Sequence, residues 1–283
     1  MKLNVLCIGD IVGRPGRRIL AEHLSGLVRQ RDIDCVIANA ENAAGGSGLT
    51  PQIFDKLLKY GVNIVTMGDH VYKKRAIIPT LETADNIIRP ANLSPFAAGK
   101  DYALYKTSKG PVVGVINLIG RVFMKPADCP YAAADKLVLK LRDQADVIFV
   151  DFHAEATSEK IAMGYHLDGR VSCVFGTHTH VVTADEKITA KGTAHISDIG
   201  MTGAHDSILG RSAENVLKSF RTQMPMPYEI ADKDVRINAI LVTVDSNSKK
   251  AEHIERVCLK AEFDDNATYD SDDGKPDRLN NEF

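Results

Sequence analysis

Apolar positions cluster along this chain in short runs that each close on glycine or a polar residue. "LNVLCIG", residues 3–9, is nearly unbroken, the pattern of a strand buried on both faces. "RRILAEHLSGLVRQ" (17–30) then spaces its apolar residues as a helix does, and "DCVIAN" (34–39) is a second strand. The glycine-rich "AGGSG" (44–48) leads to a helix entered at Thr50, with Pro51 in the first turn where its missing N–H is harmless. "VNIVTMG" (62–68) is a third strand. Strand–helix–strand–helix–strand implies parallel strands joined by right-handed crossovers.

Further apolar runs follow at "PVVGVINLIG" (111–120), "ADVIFVDFH" (145–153) and "VSCVFGTH" (171–178), separated by helical patterns at 132–144 and 157–169. Thr157 or Ser158 is the expected cap of the second of these helices. The late segments "TAHISDIG", "DVRINAILVTVD" and "KKAEHIERVCL" alternate apolar and polar residues, as a half-exposed antiparallel sheet would, and "VDSNSKKA" is a hairpin turn between the last two. The expectation is one α/β domain over residues 1–260, two packed mixed sheets with helices on the outer faces. From Glu262 onward eight acidic residues face two basic ones, and 261–283 reads as a loosely ordered acidic tail.

The bulk composition excludes more than it suggests. A net charge of −2 gives no reason to expect stable binding to a nucleic-acid polymer. No apolar run is long enough for a membrane span, and the amino-terminal segment carries Asp10 and arginines where a signal peptide would not. The five cysteines lack CxxC spacing, so buried free thiols and a reducing, cytoplasmic setting are expected. The alternating late strands leave room for a homo-oligomer.

The chemistry stands at the strand ends, the edge where open α/β sheets collect ligands. The first strand closes on Asp10, the second on Glu41 and Asn42, the third on Asp69 and His70. "VIFVDFH" ends in Asp151 and His153, and "VFGTHTH" in His178 and His180. Singly, each has a structural explanation: a helix cap for Asp10, a solvated charge for Glu41, a hydrogen-bonded core imidazole for His153. Five such termini together point to a metal site. In an extended backbone, side chains two apart lie on one side roughly 7 Å from each other. That spacing is too wide to chelate one ion and suits one ligand for each of two. Carboxylate and imidazole donors without cysteine favour zinc, manganese or iron. Six or so ligands exceed the needs of one ion and suit two ions about 3.5–4 Å apart sharing a carboxylate, an arrangement fit to hydrolyse phosphate esters.

"Gly-Asp", "Glu-Asn", "Gly-x-His" and "Gly-x-His-x-His" resemble the calcineurin-like metallophosphoesterase superfamily, although Val12 stands where that superfamily has histidine and "AEN" replaces its second "Gly-Asp". The strings "GDIVGRPGR", "ENAAGGSGLT", "RPAN", "DFHAEATSEK", "VFGTHTHVVTAD" and "SDIGMTG" resemble the YmdB family of 2′,3′-cyclic-nucleotide 2′-phosphodiesterases, from Lys2 to about Cys258. The resemblance implies a metallophosphoesterase sandwich and two divalent or trivalent ions, iron or manganese, with zinc also compatible. Asp10 and His180 would hold the first ion, Glu41 would bridge, and Asp69, His153 and His178 would hold the second. Asn42 would be a ligand or a contact to substrate phosphate, and His70 the general acid. The implied reaction is attack of a metal-bridging hydroxide on a 2′,3′-cyclic nucleotide, giving a 3′-nucleotide. Asp69 departs from the family's usual asparagine. Other phosphoesterase activity and a non-catalytic, metal-loaded regulatory protein are the alternatives. "AGGSG" could turn amides toward phosphate or be a plain turn, Arg89 could contact an anion or pack, and His205 is the remaining histidine nearest in pattern to a site residue.

Overall fold

The structure is a computed structural model that describes residues 1–260 of the 283; the expected acidic tail, 261–283, lies outside the described residues. The first half runs β1 (Lys2–Ile8), β2 (Asp10–Ile11), α1 (Gly13–Gln30), β3 (Cys35–Asn39), α2 (Pro51–Tyr60), β4 (Ile64–Thr66), α3 (Ile78–Thr83) and β5 (Ile87–Ile88). It is followed by β6 (Tyr102–Lys106), β7 (Val112–Ile119), α4 (Pro130–Leu141), β8 (Val147–His153), α5 (Thr157–His166) and β9 (Cys173–Thr177). The chain then forms β10 (Lys187–Ile188), β11 (Ala194–Ile196), β12 (Met201–Ala204), α6 (Ala213–Thr222), β13 (Val235–Asp245) and β14 (Lys250–Lys260).

Two sheets result. One has the order β2-β12-β13-β1-β3-β4-β5, with β14 on the far side of β13; the other has the order β10-β11-β9-β8-β7-β6. The runs β1–β3–β4–β5 and β7–β8–β9–β11 are parallel, as the strand–helix alternation requires. Alternate residues of β1 explain the layering. Leu6 and Ile8 pack with Ile19, Leu20 and Leu24 of α1, while Val5 and Cys7 face Phe149 and Phe175 of the second sheet. A third cluster, including Leu137, Leu141 and Met163, seals α4 and α5 onto the second sheet. The order is helix, sheet, sheet, helix, so strands buried on both faces read as unbroken apolar runs.

The expected entry to α2 is present: the Thr50 hydroxyl oxygen accepts from the Ile53 N–H at 3.3 Å, and Gly61 ends the helix with φ of 112°. Three expectations are corrected. α5 is preceded by Ala156 as N-cap, with no side-chain cap from Thr157 or Ser158. "TAHISDIG" contains β11, which is fully buried and parallel to β9. β13 is antiparallel as expected but mostly buried, because β1 and β14 flank it and Leu241 and Val242 enter opposite cores. Only β14 keeps the half-exposed alternation.

Candidate metal centre

The carboxyl ends of both sheets meet at one edge. There Glu41, Asp69, His153 and His178 each bring one donor atom within 4.8 Å of the others. His153 Nε2 lies 3.3 Å from Glu41 Oε1 and 3.2 Å from Asp69 Oδ1. His178 Nδ1 lies 3.1 Å from His153 Nε2 and 3.5 Å from Asp69 Oδ1. Beside this group, His180 Nε2 is 3.9 Å from Asp10 Oδ1 and 3.1 Å from Asn42 Nδ2. Asn42 Nδ2 also donates to Glu41 Oε1 at 3.2 Å, so Glu41 and Asn42 stand between the two groups. His70 closes the cleft: its backbone N–H donates to Glu41 Oε2 at 2.9 Å, and its Nδ1 lies 2.7 Å from Asn42 Oδ1.

Each of the three ligand-type histidines is held by its other nitrogen, by a different device. Thr177 donates its hydroxyl proton to Asp151 Oδ1 at 2.7 Å, so its oxygen accepts from His153 Nδ1 at 2.9 Å. His178 Nε2 faces Glu155 Oε2 at 3.2 Å. His180 Nδ1 donates to the Leu209 carbonyl at 3.1 Å. With that nitrogen held, each ring can turn its other nitrogen, unprotonated, toward a metal ion, as metal-ligating histidines do. His153 Nε2 and His178 Nδ1 at 3.1 Å repel unless a proton or a cation lies between them.

The residues fit a cation on four further grounds. Asp10 is fully buried, and its Oδ1 has no hydrogen-bond partner. Burial pushes its carboxyl well above the usual carboxylate range, and only a nearby positive charge would keep it ionised there. Burial opposes charge on His153 too, yet Glu41, Asp69 and Asp10 outweigh it and raise its proton affinity. Those carboxylates would hold a cation by the same attraction. Burial and the neighbouring His153 push His178 down to about 4, which keeps it a neutral donor. Finally, Gly68 leaves a cradle: a Cβ there would fall 2.3 Å from His153 Nε2 and 2.4 Å from Glu41 Oε2.

The backbone between the two histidines differs from the extended form expected. β9 ends at Thr177, and His178 and His180 take φ of 100° and 65°. That turn separates the side chains, sending His178 to Asp69 and His180 to Asp10. Strained non-glycine residues of this kind persist where the surroundings over-determine them. Here the His178 N–H donates to Asp10 Oδ2 at 3.1 Å, and Thr179 donates to Asp198 Oδ2 from its N–H and, at 2.7 Å, from its hydroxyl.

Compared with known proteins, residues 6–257 match the family described as YmdB-like protein. The chain belongs to this family. It is 42% identical over 257 residues to the 2′,3′-cyclic-nucleotide 2′-phosphodiesterase of Bacillus subtilis (strain 168), covering 91% of this chain and 97% of that one. A Mycoplasma pneumoniae relative named as a putative phosphatase/phosphodiesterase is 34% identical, covering 90% and 92%. Among solved structures, a hypothetical protein from Thermus thermophilus superposes with a TM-score of 0.86 at 37% identity, covering 92% of this chain and all of that one. A putative 5′-nucleotidase from Staphylococcus aureus, at 16% identity and a TM-score of 0.61, shares the fold; this chain spans 57% of it.

Membership in the YmdB-like family bears out the resemblance carried by the quoted strings, and two of those strings are tied together physically. Lys160, from "DFHAEATSEK", is buried against Asp198, from "SDIGMTG", at 2.6 Å, and Asp198 holds Thr179. Sequence reasoning passed over Glu155, Thr177, Asp198 and the Leu209 carbonyl. Glu155 stands two residues past His153 and was the one with a signal, whereas a carbonyl has none. The open alternatives for two other motifs also resolve. The "AGGSG" loop turns carbonyls inward: Arg211 donates to Gly45 O and Gly46 O, so the loop cradles a guanidinium. Arg89 packs, donating to Ala97 O at 3.2 Å and Pro90 O at 2.9 Å.

Proposed function

We propose that this phosphoric ester hydrolase opens 2′,3′-cyclic nucleotides to 3′-nucleotides, using two metal ions, iron or manganese, held by the strand-end cluster. Asp10 and His180 would hold one ion, Asp69, His153 and His178 the other, and Glu41 both, with Asn42 beside the first. When bound, the ions supply Lewis-acid polarisation of the phosphoryl group and a nucleophile at neutral pH. The observation that carries the chemistry is the pair of donor groups on either side of Glu41, one of them containing the orphaned Asp10 Oδ1. The name of the Bacillus subtilis relative supports the substrate.

The chain's own residues then do three things. Asn42 and the Glu41 carboxylate fix the His70 ring and its backbone at the cleft. With Nδ1–H committed to Asn42 Oδ1, His70 Nε2 is the atom left to carry a proton to the departing 2′-oxygen. Glu155, Thr177 and Leu209 keep the three other imidazoles in the ligating tautomer. The free thiols Cys7, Cys35 and Cys173, all buried, support a reducing compartment such as the cytoplasm. No helix among the described residues is long and apolar enough to cross a membrane.

The test is release of 3′-AMP from 2′,3′-cyclic AMP with added manganese or iron. Removing the acid by His70→Ala is expected to lower kcat about 10²–10⁴-fold with metal content unchanged. A metal-loaded wild-type protein inactive on phosphodiesters would leave the regulatory alternative standing.

A further inference from the structure

A cavity of about 440 Å³ opens directly beside His180. Its size falls in the range of small-molecule sites. His180 and Leu209 form its wall toward the cluster, joined by the 3.1 Å bond that fixes the imidazole. A molecule in this cavity is therefore one side chain away from Asp10 and Asn42.

The lining mixes apolar side chains with hydrogen-bonding groups. Val181, Val182 and Met201 supply apolar wall. The two arginines on the rim are neutralised: Arg236 lies against Asp234, and Arg256 lies 2.8 Å from Glu186. A second phosphate would find no unpaired cation there. Asn238 is 5% exposed, and its amide nitrogen is used up by Met201 O at 3.0 Å and His205 Nε2 at 3.1 Å. Its Oδ1 accepts no hydrogen bond among the described residues. An acceptor without a donor, in a cavity with apolar side chains beside it, matches the amino or imino edge of a nucleobase.

We propose that this cavity receives the base of the nucleotide whose phosphate lies at the cluster, with Asn238 facing the base edge; the assignment rests on the phosphodiesterase reading above. In a 2′,3′-cyclic nucleotide the base on C1′ stands next to the cyclic phosphate on C2′ and C3′, on the opposite face of the ribose. The sugar would then bridge past His180, and the base contacts would supply affinity without touching the reacting atoms.

Cys258 gives the test. It lines the cavity opposite Asn238 in the β13–β14 register and is exposed, while Cys7, Cys35 and Cys173 are buried. In a Cys129→Ser background, the folded, manganese-loaded full chain is alkylated at Cys258 with N-ethylmaleimide, and Cys258→Trp is made in parallel. Both are assayed on 2′,3′-cyclic AMP and on glycerol 1,2-cyclic phosphate, a base-free ester opened by the same chemistry. Blocking the cavity is expected to raise KM for the nucleotide about tenfold or more and to leave kcat/KM for the base-free ester within about twofold. Equal effects on both esters, or none on either, would overturn the assignment while leaving the phosphodiesterase intact. A wild-type chain that opens neither ester would remove the functional reading, and the subsite with it.

Discussion

At the scale of single residues, Asp69 is where the resemblance implies an asparagine and this chain has a carboxylate. Its Oδ1 stands 3.2 Å from His153 Nε2 and 3.5 Å from His178 Nδ1, so it brings a negative charge where an asparagine would bring a neutral amide. That charge strengthens attraction for a cation and weakens the polarising power left over for substrate. Asp69→Asn is therefore expected to lower manganese affinity by about tenfold and to shift the pH–rate profile toward acid. Titration of the metal-free protein and a pH–kcat series check both; coincident curves for the two proteins would remove the argument. The remaining donors were legible because carboxylates and imidazoles at the ends of apolar runs are visible in any sequence. Their tautomers were not, since Leu209 acts through its carbonyl and Thr177 through a hydroxyl spent on Asp151.

At the scale of elements, the turn after β9 governs the site, and Asp198 holds that turn. Its carboxylate, which is buried, takes bonds from Thr179, from Lys160 at 2.6 Å, and from the Gly200 N–H at 2.7 Å. Removing the cation from such a pair leaves a buried charge without its counterpart. Lys160→Met is expected to destabilise the fold by about 3–5 kcal/mol, read as a lowered urea midpoint. An unchanged midpoint would show that the pair does not hold the turn. β11 was misread for a related reason. His195 and Ser197 look solvent-facing in sequence, but inside the protein His195 Nε2 bonds Lys160 O at 3.2 Å and Ser197 donates to Asp185 at 2.5 Å. Alternation signals exposure only where buried polar groups lack partners. The strands β1, β3, β4, β7, β8 and β9 were legible because burial on both faces leaves no alternation to misread.

At the scale of the whole molecule, the two sheets are tied together around the site by polar side chains as well as by apolar packing. Asp151 of the second sheet takes bonds from Thr66 at 2.5 Å and Asn39 at 3.3 Å in the first, directly beneath His153. Beside β11 of the second sheet, Asp185 accepts from Thr183 at 2.6 Å and from the Ser197 N–H at 3.0 Å. Burial opposes its ionisation, yet these bonds, with the Ser197 hydroxyl foremost, hold its carboxyl below the ordinary value of 3.8. A depressed folded-state value gives stability that is present above 3.8 and lost as pH falls through the folded value. Asp185→Asn is thus expected to lower Tm at pH 7 and to converge on the wild type as the pH falls below that value. A Tm difference that does not change with pH would sink this assignment. The layering and parallel order were legible in the alternation of strands and helices. The cavity beside His180 was not, because it forms between β13, β14 and a turn that no local pattern brings together.

The central claim is that two cations sit side by side across Glu41. Crystals of the full chain grown with manganese, measured at wavelengths on either side of the manganese absorption edge, test it most directly. Two anomalous peaks about 3.5–4 Å apart are expected, one touching Asp10 and His180, the other touching Asp69, His153 and His178. A single peak, or two peaks that do not share Glu41, would contradict it.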